Sequence, residues 1–138
     1  MRPEIDDTER GSAMIEFIAL ATMLFIPTVY FLLTVFSIQA AGFAAAAASQ
    51  QGIIAVRNMG EQRQMNIEQV EAIAAIAVSD YGIDPSQLSV TARCETGDCD
   101  KVSVQTSVTV ELPLIPWVAP RGIGTMTSQA TWWGSKYR

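Results

Sequence analysis

Histidine is absent from this chain of 138 residues, and only 17% of the residues are charged. Without histidine the chain lacks the side chain that most often serves as general base and as metal ligand. It also has neither a G-x-S-x-G turn nor a glycine-rich phosphate loop. Asp80, Asp84 and Asp98 are typical turn residues. The sequence therefore predicts no catalytic residue, no cofactor and no metal site, and we expect a protein that is not an enzyme.

Basic residues are scarce as well. Nine lysines and arginines stand against 14 acidic residues, which gives a net charge of −5 and an isoelectric point near 4.6. A nucleic-acid-binding domain would carry a basic face. This balance excludes nucleic acid as a partner, and the modest acidity favours solubility.

There are only two cysteines, Cys94 and Cys99, in the stretch "CETGDC". We expect them to face each other across a short antiparallel hairpin, within bridging distance. A disulfide follows if the domain lies outside the cytoplasm. The alternative is a two-thiol metal site, but a tetrahedral zinc site would lack its remaining ligands.

No charged residue occurs between Phe17 and Ala48. At a rise of about 1.5 Å per residue, roughly 20 apolar residues span a bilayer core, and Phe17–Phe36 has that length. Pro27 removes one backbone hydrogen bond, so we expect a kink near it. The sequence thus predicts one membrane-spanning helix near the N-terminus, with the chain single-pass.

The second part of this helix, "QAAGFAAAAASQQGIIAVR", replaces bulky residues with alanine and glycine. Gly42 and Ala46 have small-xxx-small spacing, which allows another backbone to approach closely. The alternative is that alanine is present only because it favours helix. The helix is predicted to continue to about Met59 and to end at Gly60.

A second, amphipathic helix is predicted from an N-cap at Asn66 to about Tyr81. Alternating stretches then predict three strands, at 88–94, 101–112 and 122–133. Together these elements define an α+β fold: a long kinked N-terminal helix, a second amphipathic helix and a small three-stranded antiparallel sheet.

This pattern divides the chain into three segments: a polar segment over 1–11, an apolar membrane helix over 12–60, and a small α+β domain over 61–138. Trp117 is predicted in a proline-rich loop before the last strand, and Trp132 and Trp133 lie adjacent within that strand. Because neighbouring strand residues point to opposite faces, one of the pair should face outward, unless the helices or the loop cover both.

The start of the apolar helix has a pattern of its own. Gly11 is followed by four residues, then Glu16 and Phe17, and then the uncharged run. This pattern resembles the processing site of type IV prepilins, and most closely the TadE-like pseudopilins of tight-adherence pili. The resemblance covers the first third of the chain closely and the α-then-β remainder less specifically.

The resemblance implies a residue role at each position. A prepilin peptidase cuts between Gly11 and Ser12, and Ser12 becomes the new N-terminus. Glu16 then pairs with an N-terminal ammonium, on its own chain or a neighbour, while Phe17 opens the assembly helix. The chemistry is consistent, because a carboxylate near hydrocarbon is costly and a free α-amino group is positive at neutral pH.

The resemblance further implies a minor pseudopilin, since the major tight-adherence pilins are much shorter. It also implies that 1–11 is a leader, 12–60 an assembly helix and 61–138 an extracytoplasmic domain. Its partners would be the peptidase, other pilin or pseudopilin subunits, assembly-platform proteins and the membrane. The expected location is the bacterial inner membrane, with the N-terminus cytoplasmic before processing and the C-terminal domain outside, where it could join a surface pilus involved in adhesion. The leader departs from the family pattern because it carries four acidic residues against Arg2 and Arg10.

Two other functions stay open. The chain could be an independent membrane-anchored binding module, with an intact N-terminus and a monomeric state in detergent. It could also be a secreted domain, because "AAGFAAAAASQ" offers A-x-A-like signal-peptidase sites near Ala48.

Overall fold

The computed structural model describes residues 7–59, 66–97, 99–110 and 124–134. In chain order its elements are helix α1 (Asp7–Asn58), helix α2 (Ile67–Ser79), a short 3-10 helix (Pro85–Gln87), and strands β1 (Leu88–Cys94), β2 (Lys101–Val110) and β3 (Gly124–Trp133). The predicted α+β fold, with its long apolar N-terminal helix, second helix and three-stranded antiparallel sheet, is confirmed.

Helix α1 begins earlier than the sequence pattern predicts. It starts at Asp7, so Gly11 lies inside the helix. One glycine costs a helix only about 1 kcal/mol relative to alanine, which is too little to stop a helix whose following residues are strong helix formers. The predicted helix end at Gly60, and the segment boundary beside it, lie outside the described residues.

By its internal contacts the chain divides into two units, Met1–Val35 and Phe36–Arg138. Helix α1 contributes residues to both. The residues of α1 after Phe36 therefore pack in the same unit as α2 and the sheet.

Helix α2 begins where its capping residue predicts. The Asn66 side chain accepts a hydrogen bond from the backbone N–H of Gln69, at 3.3 Å, which satisfies one free donor of the first turn. The helix ends at Ser79, two residues before the predicted end, and Gly82 follows with a φ of 71°. That left-handed conformation is one that glycine adopts without strain.

The sheet is an antiparallel meander in the order β1-β2-β3. In one row across it, Ala92 is paired with Val104 and Val104 with Ala130. Side chains of even number on β2 face the core, and all are buried: Val102, Val104, Thr106, Val108 and Val110. The alternation that predicted a half-buried strand is thus confirmed.

Small side chains of α1 form the other side of this core. Ala41, Ala44, Ala45 and Ala48 are all at most 1% exposed and cluster with buried residues of α2 and β2. Gly52 continues this face of the helix. A Cβ atom there would lie 3.0 Å from Cγ1 of Val104 and 3.3 Å from Cγ1 of Val70. The alanine-rich sequence therefore does more than favour helix, because it allows the helix backbone to approach the sheet.

Two polar contacts cross the same interface. The Thr106 hydroxyl, which is fully buried, donates to the carbonyl oxygen of Ala45 at 2.7 Å. Ser49 Oγ lies 3.0 Å from Ser128 Oγ and also donates to the Ala46 carbonyl. These bonds explain how the valine pattern of β2 tolerates a polar residue at Thr106, since a buried hydroxyl is costly only when it has no partner.

The predicted proline loop with Trp117, and the polar tail after Gly134, lie outside the described residues. So do Asp98 and the first six residues of the leader.

Candidate functional site

The residues of the prepilin-like pattern lie together on the first turns of the described helix. Gly11, Ser12, Glu16 and Phe17 are all helical and exposed. Ser12 and Glu16 are four residues apart, so they are neighbours on one face of α1. A Cβ atom placed on Gly11 would meet nothing within 4 Å, which means that the fold itself does not require glycine there.

Glu16 has no ion-pair partner among the side chains described at 11–59, 66–97, 99–110 and 124–134, where the described salt bridge joins Glu95 and Lys101. Nothing packs over Glu16, and the next residue, Phe17, is 72% exposed. The carboxylate therefore stands at the start of an apolar surface without a countercharge in the described part of the chain.

The helix that follows is apolar on every side and uncovered. All residues from Gly11 to Thr28 are exposed. The exposed large hydrophobic residues between Gly11 and Phe36 are Met14, Ile15, Phe17, Ile18, Leu20, Met23, Leu24, Phe25, Ile26, Tyr30, Phe31, Leu32, Leu33 and Phe36. By length and composition α1 is able to cross a membrane. A helix that is hydrophobic all round is otherwise found only in the interior of a large protein.

Pro27 lies inside this apolar stretch, and helical residues continue on both sides of it. One turn earlier, the Leu24 carbonyl accepts a hydrogen bond from the Thr28 hydroxyl at 2.8 Å. The Tyr30 carbonyl accepts from Thr34 in the same way, at 3.0 Å. Threonine hydroxyls thus supply internal hydrogen bonds near the proline, as a helix without water around it requires. The kink at Pro27 stays a prediction.

The predicted packing residues Gly42 and Ala46 lie on a different face of α1 from the buried alanines. Ala46 is exposed, and a Cβ atom on Gly42 would meet nothing within 4 Å. Their proposed contact with another backbone stays a prediction. Phe43, on the same exposed side, is 64% exposed.

Cys94 and Cys99 lie at disulfide distance, with 2.09 Å between the sulfur atoms and 4.8 Å between the Cα atoms. They are not, however, opposite each other across the hairpin, as the spacing suggested. Cys94 is paired with Val102, and Cys99 lies in the turn with a φ of 53°. The reason is that residues 95–100 form a longer connection, in which Cys99 N–H bonds to the Thr96 carbonyl.

The connection between β1 and β2 contains an ion pair that the sequence pattern did not predict. Lys101 is paired with Glu95, and hydrogen bonds from Lys101 and then from Ser103 lower the pKa of the Glu95 carboxyl. The Lys101 ammonium also lies 4.9 Å from the centroid of the Trp133 ring. The register explains the meeting, since Lys101 and Trp133 are paired across β2 and β3. A correctly predicted register of β2 and β3 would have placed Lys101 beside Trp133 and indicated this contact.

The two adjacent tryptophans point to opposite faces of the sheet. Trp132 packs against the buried cluster that contains Val102 and Val104. Trp133 is 69% exposed on the other face. The exposure of Trp133 confirms the expectation that one tryptophan faces outward, and the alternative that both are covered is wrong.

In the described ranges, no three histidine, cysteine, aspartate or glutamate side chains come together in a group that could hold a metal ion. In comparisons with known proteins, no protein family, no curated protein and no solved structure matches this chain.

Proposed function

We propose that this chain is a minor pseudopilin of a tight-adherence pilus. A prepilin peptidase removes the leader after Gly11, and the processed chain assembles with other subunits through its apolar N-terminal helix. Its role is structural and not catalytic. The observation that carries the proposal is the uncovered, all-round apolar stretch of α1 that begins directly at Glu16 and Phe17.

Cleavage would give Glu16 a countercharge, which no side chain in the described part of the chain supplies. The new α-amino group at Ser12, with an ordinary pKa of about 7.7 to 8.0, is positive at neutral pH. Ser12 and Glu16 are four residues apart on a helix, which brings their side chains to about 5–6 Å between Cβ atoms. A pair within one chain is therefore within reach, and a pair with the next subunit is available where helices associate.

The packing of α1 disfavours the secreted-domain alternative. A signal-peptidase cut near Ala48 would remove Ala41, Ala44 and Ala45, which are buried in the core beside Val108. In a released domain, the core residues that these alanines cover would become exposed. We therefore retain the independent membrane-anchored module as the main rival, and the two differ in whether the leader is removed.

Two variants test the proposal. Gly11→Val should abolish processing, because a side chain at that position obstructs the peptidase, whereas the fold has room for it. Glu16→Ala should be processed normally yet recover fewer partner subunits on affinity purification from native membranes. Cleavage of Gly11→Val at the same bond would place recognition elsewhere. Normal co-assembly of Glu16→Ala would remove the role given to the carboxylate.

A further inference from the structure

The outer face of the sheet has an unusual composition for this acidic chain. The residues of β1, β2 and β3 that point away from the core are Ser89, Thr91, Arg93, Lys101, Ser103, Gln105, Ser107, Thr109, Thr125, Thr127, Gln129, Thr131 and Trp133. Of these, Ser103 is buried beneath its neighbours. Nearly all are neutral hydroxyl or amide side chains, and none is acidic. This outer face is therefore flat, uncharged over most of its area and rich in hydrogen-bond donors and acceptors.

At one end of the outer face, Trp133 presents an exposed aromatic surface. Trp133 is 69% exposed, yet Lys101 lies over its ring at 4.9 Å. Lys101 is itself fixed by Glu95, and its N–H bonds to the Thr96 hydroxyl at 3.1 Å. The residue after Trp133, Gly134, donates its N–H to the Asp100 carbonyl.

The Gly134 contact is a close one, since a Cβ atom on Gly134 would lie 3.2 Å from the Asp100 oxygen. The Cys94–Cys99 pair closes the same turn. These contacts fix the backbone on both sides of Trp133, and such preorganisation lowers the cost of ordering a site when a ligand binds.

The charges around Trp133 exclude several occupants. Among the described residues of the outer face the cations are Arg93 and Lys101, and Glu95 is paired with Lys101. A nucleic acid or an anionic membrane would need a larger excess of positive charge. A protein interface would need a cluster of apolar anchors, and Trp133 is the one large apolar side chain among the strand residues described on this face. A second copy would set the cations of one face against those of the other.

We propose that the outer face of the sheet binds an uncharged polysaccharide, with a sugar ring stacked on Trp133. The C–H face of a pyranose is apolar and packs on an indole, while its hydroxyl groups require neutral donors and acceptors around it. Gln129 and Gln105, which are paired across β2 and β3 and both exposed, supply amides beyond the tryptophan. Ser107 and Thr127, with their hydroxyl oxygens 3.1 Å apart, extend the polar surface. This inference does not depend on the pilus assignment.

The test uses the full chain in detergent micelles and measures retention on uncharged glucans: amylose, cross-linked dextran and cellulose. Polygalacturonate and anionic phospholipid vesicles serve as charged probes. The wild-type chain should be retained by at least one uncharged glucan. Trp133→Ala should lower that affinity about tenfold, the loss expected when a stacked aromatic partner is removed. Trp133→Tyr should retain part of it, and Gln129→Ala should weaken it less.

Tyr81→Ala is the matched control, because Tyr81 is an aromatic residue 45% exposed outside the sheet. Its affinity should equal that of the wild type. Trp133 is exposed, so its replacement leaves the core intact, and an unchanged thermal unfolding midpoint verifies this. The proposal is overturned if no uncharged glucan retains the wild type, if Trp133→Ala binds as well as the wild type, or if only the charged probes bind.

Discussion

Two stretches of helix α1 are both apolar and both helical, yet their side chains are used in opposite ways. From Gly11 to Thr28 every residue is exposed, and bulky residues occur on all sides. After Phe36 the apolar residues are mostly small, and one face of them is buried against α2 and β2. Hydropathy alone does not separate the two stretches, whereas side-chain size does. Bulky residues suit a surface that meets lipid or other helices, and small residues suit close packing against a sheet.

The largest effect should come from a charge placed in the first stretch. Arginine at the centre of a spanning helix costs about 2.5 to 3.5 kcal/mol on insertion scales, and the replaced leucine is favourable. Leu24→Arg should therefore reduce membrane integration strongly, measured as the alkali-resistant fraction after cell-free insertion. Gln50→Arg, at an exposed position of the second stretch, should integrate normally. Equal integration of the two variants would mean that the first stretch does not carry the membrane signal.

Next in size is a bulky residue in the second stretch. Gly52→Leu would force a side chain against Val104 and Val70, and overpacking of a core costs about 1 to 3 kcal/mol. Gly42→Leu changes the same residue type on the same helix where a Cβ atom meets nothing within 4 Å. Urea unfolding of the full chain in micelles should show a clear loss of stability for Gly52→Leu and none for Gly42→Leu. A larger loss of stability for Gly42→Leu than for Gly52→Leu would contradict the packing face assigned to α1.

A smaller effect is expected from the buried hydrogen bond between strand and helix. Thr106→Val keeps the shape of the side chain but removes the donor to the Ala45 carbonyl. That carbonyl retains its helical bond, so the loss should be about 1 kcal/mol in the free energy of unfolding. Thr109→Val, at an exposed position of β2, is the comparison. If Thr109→Val lowers the free energy of unfolding as much as Thr106→Val does, the buried hydrogen bond contributes nothing specific.

The smallest effect concerns pH. Hydrogen bonds from Lys101 and Ser103 hold the pKa of Glu95 below its ordinary value of 4.5. The Ser86 hydroxyl, and then its N–H, lower the pKa of Asp84 below 3.8. A group with a depressed pKa stabilises the folded state fully above its unfolded pKa, and this contribution is lost as pH falls through its folded pKa. Stability should therefore fall slightly below about pH 4.5, by little because both groups are exposed.

Urea midpoints at pH 7 and pH 3 check this pH dependence. Glu95→Gln should show a smaller difference between the two midpoints than the wild type. Glu71→Gln, an exposed carboxyl on α2, should keep the wild-type difference. If Glu95→Gln and the wild type lose equal stability on acidification, the Lys101 pair does not contribute.

Local patterns were sufficient for the elements of this fold. The N-cap at Asn66, the alternation of β2 and the opposite orientation of Trp132 and Trp133 follow from spacing within a few residues. The sequence pattern failed where a contact depends on register or on tertiary approach. The connection between Cys94 and Lys101 has six residues rather than four, so the cysteines are not opposite each other.

Long-range contacts of α1 were likewise hidden from the sequence. Small-xxx-small spacing selected Gly42 and Ala46, whereas the chain buries Ala41, Ala44 and Gly52 against its own sheet. Spacing identifies small residues but not which side of the helix meets a partner. The role proposed for Gly11, Ser12 and Glu16 belongs to a further class, because it would depend on a protease and on other subunits rather than on the fold of this chain.

The most direct measurement is N-terminal sequencing, with intact mass, of the chain recovered from native membranes that contain the prepilin peptidase. The account predicts a chain that begins at Ser12, with the apolar part of α1 retained. A chain that begins at Met1 would contradict prepilin-type processing and favour an independent anchored module. A chain that begins near Ser49 would contradict the assembly role altogether, because the helix proposed to carry it would have been removed.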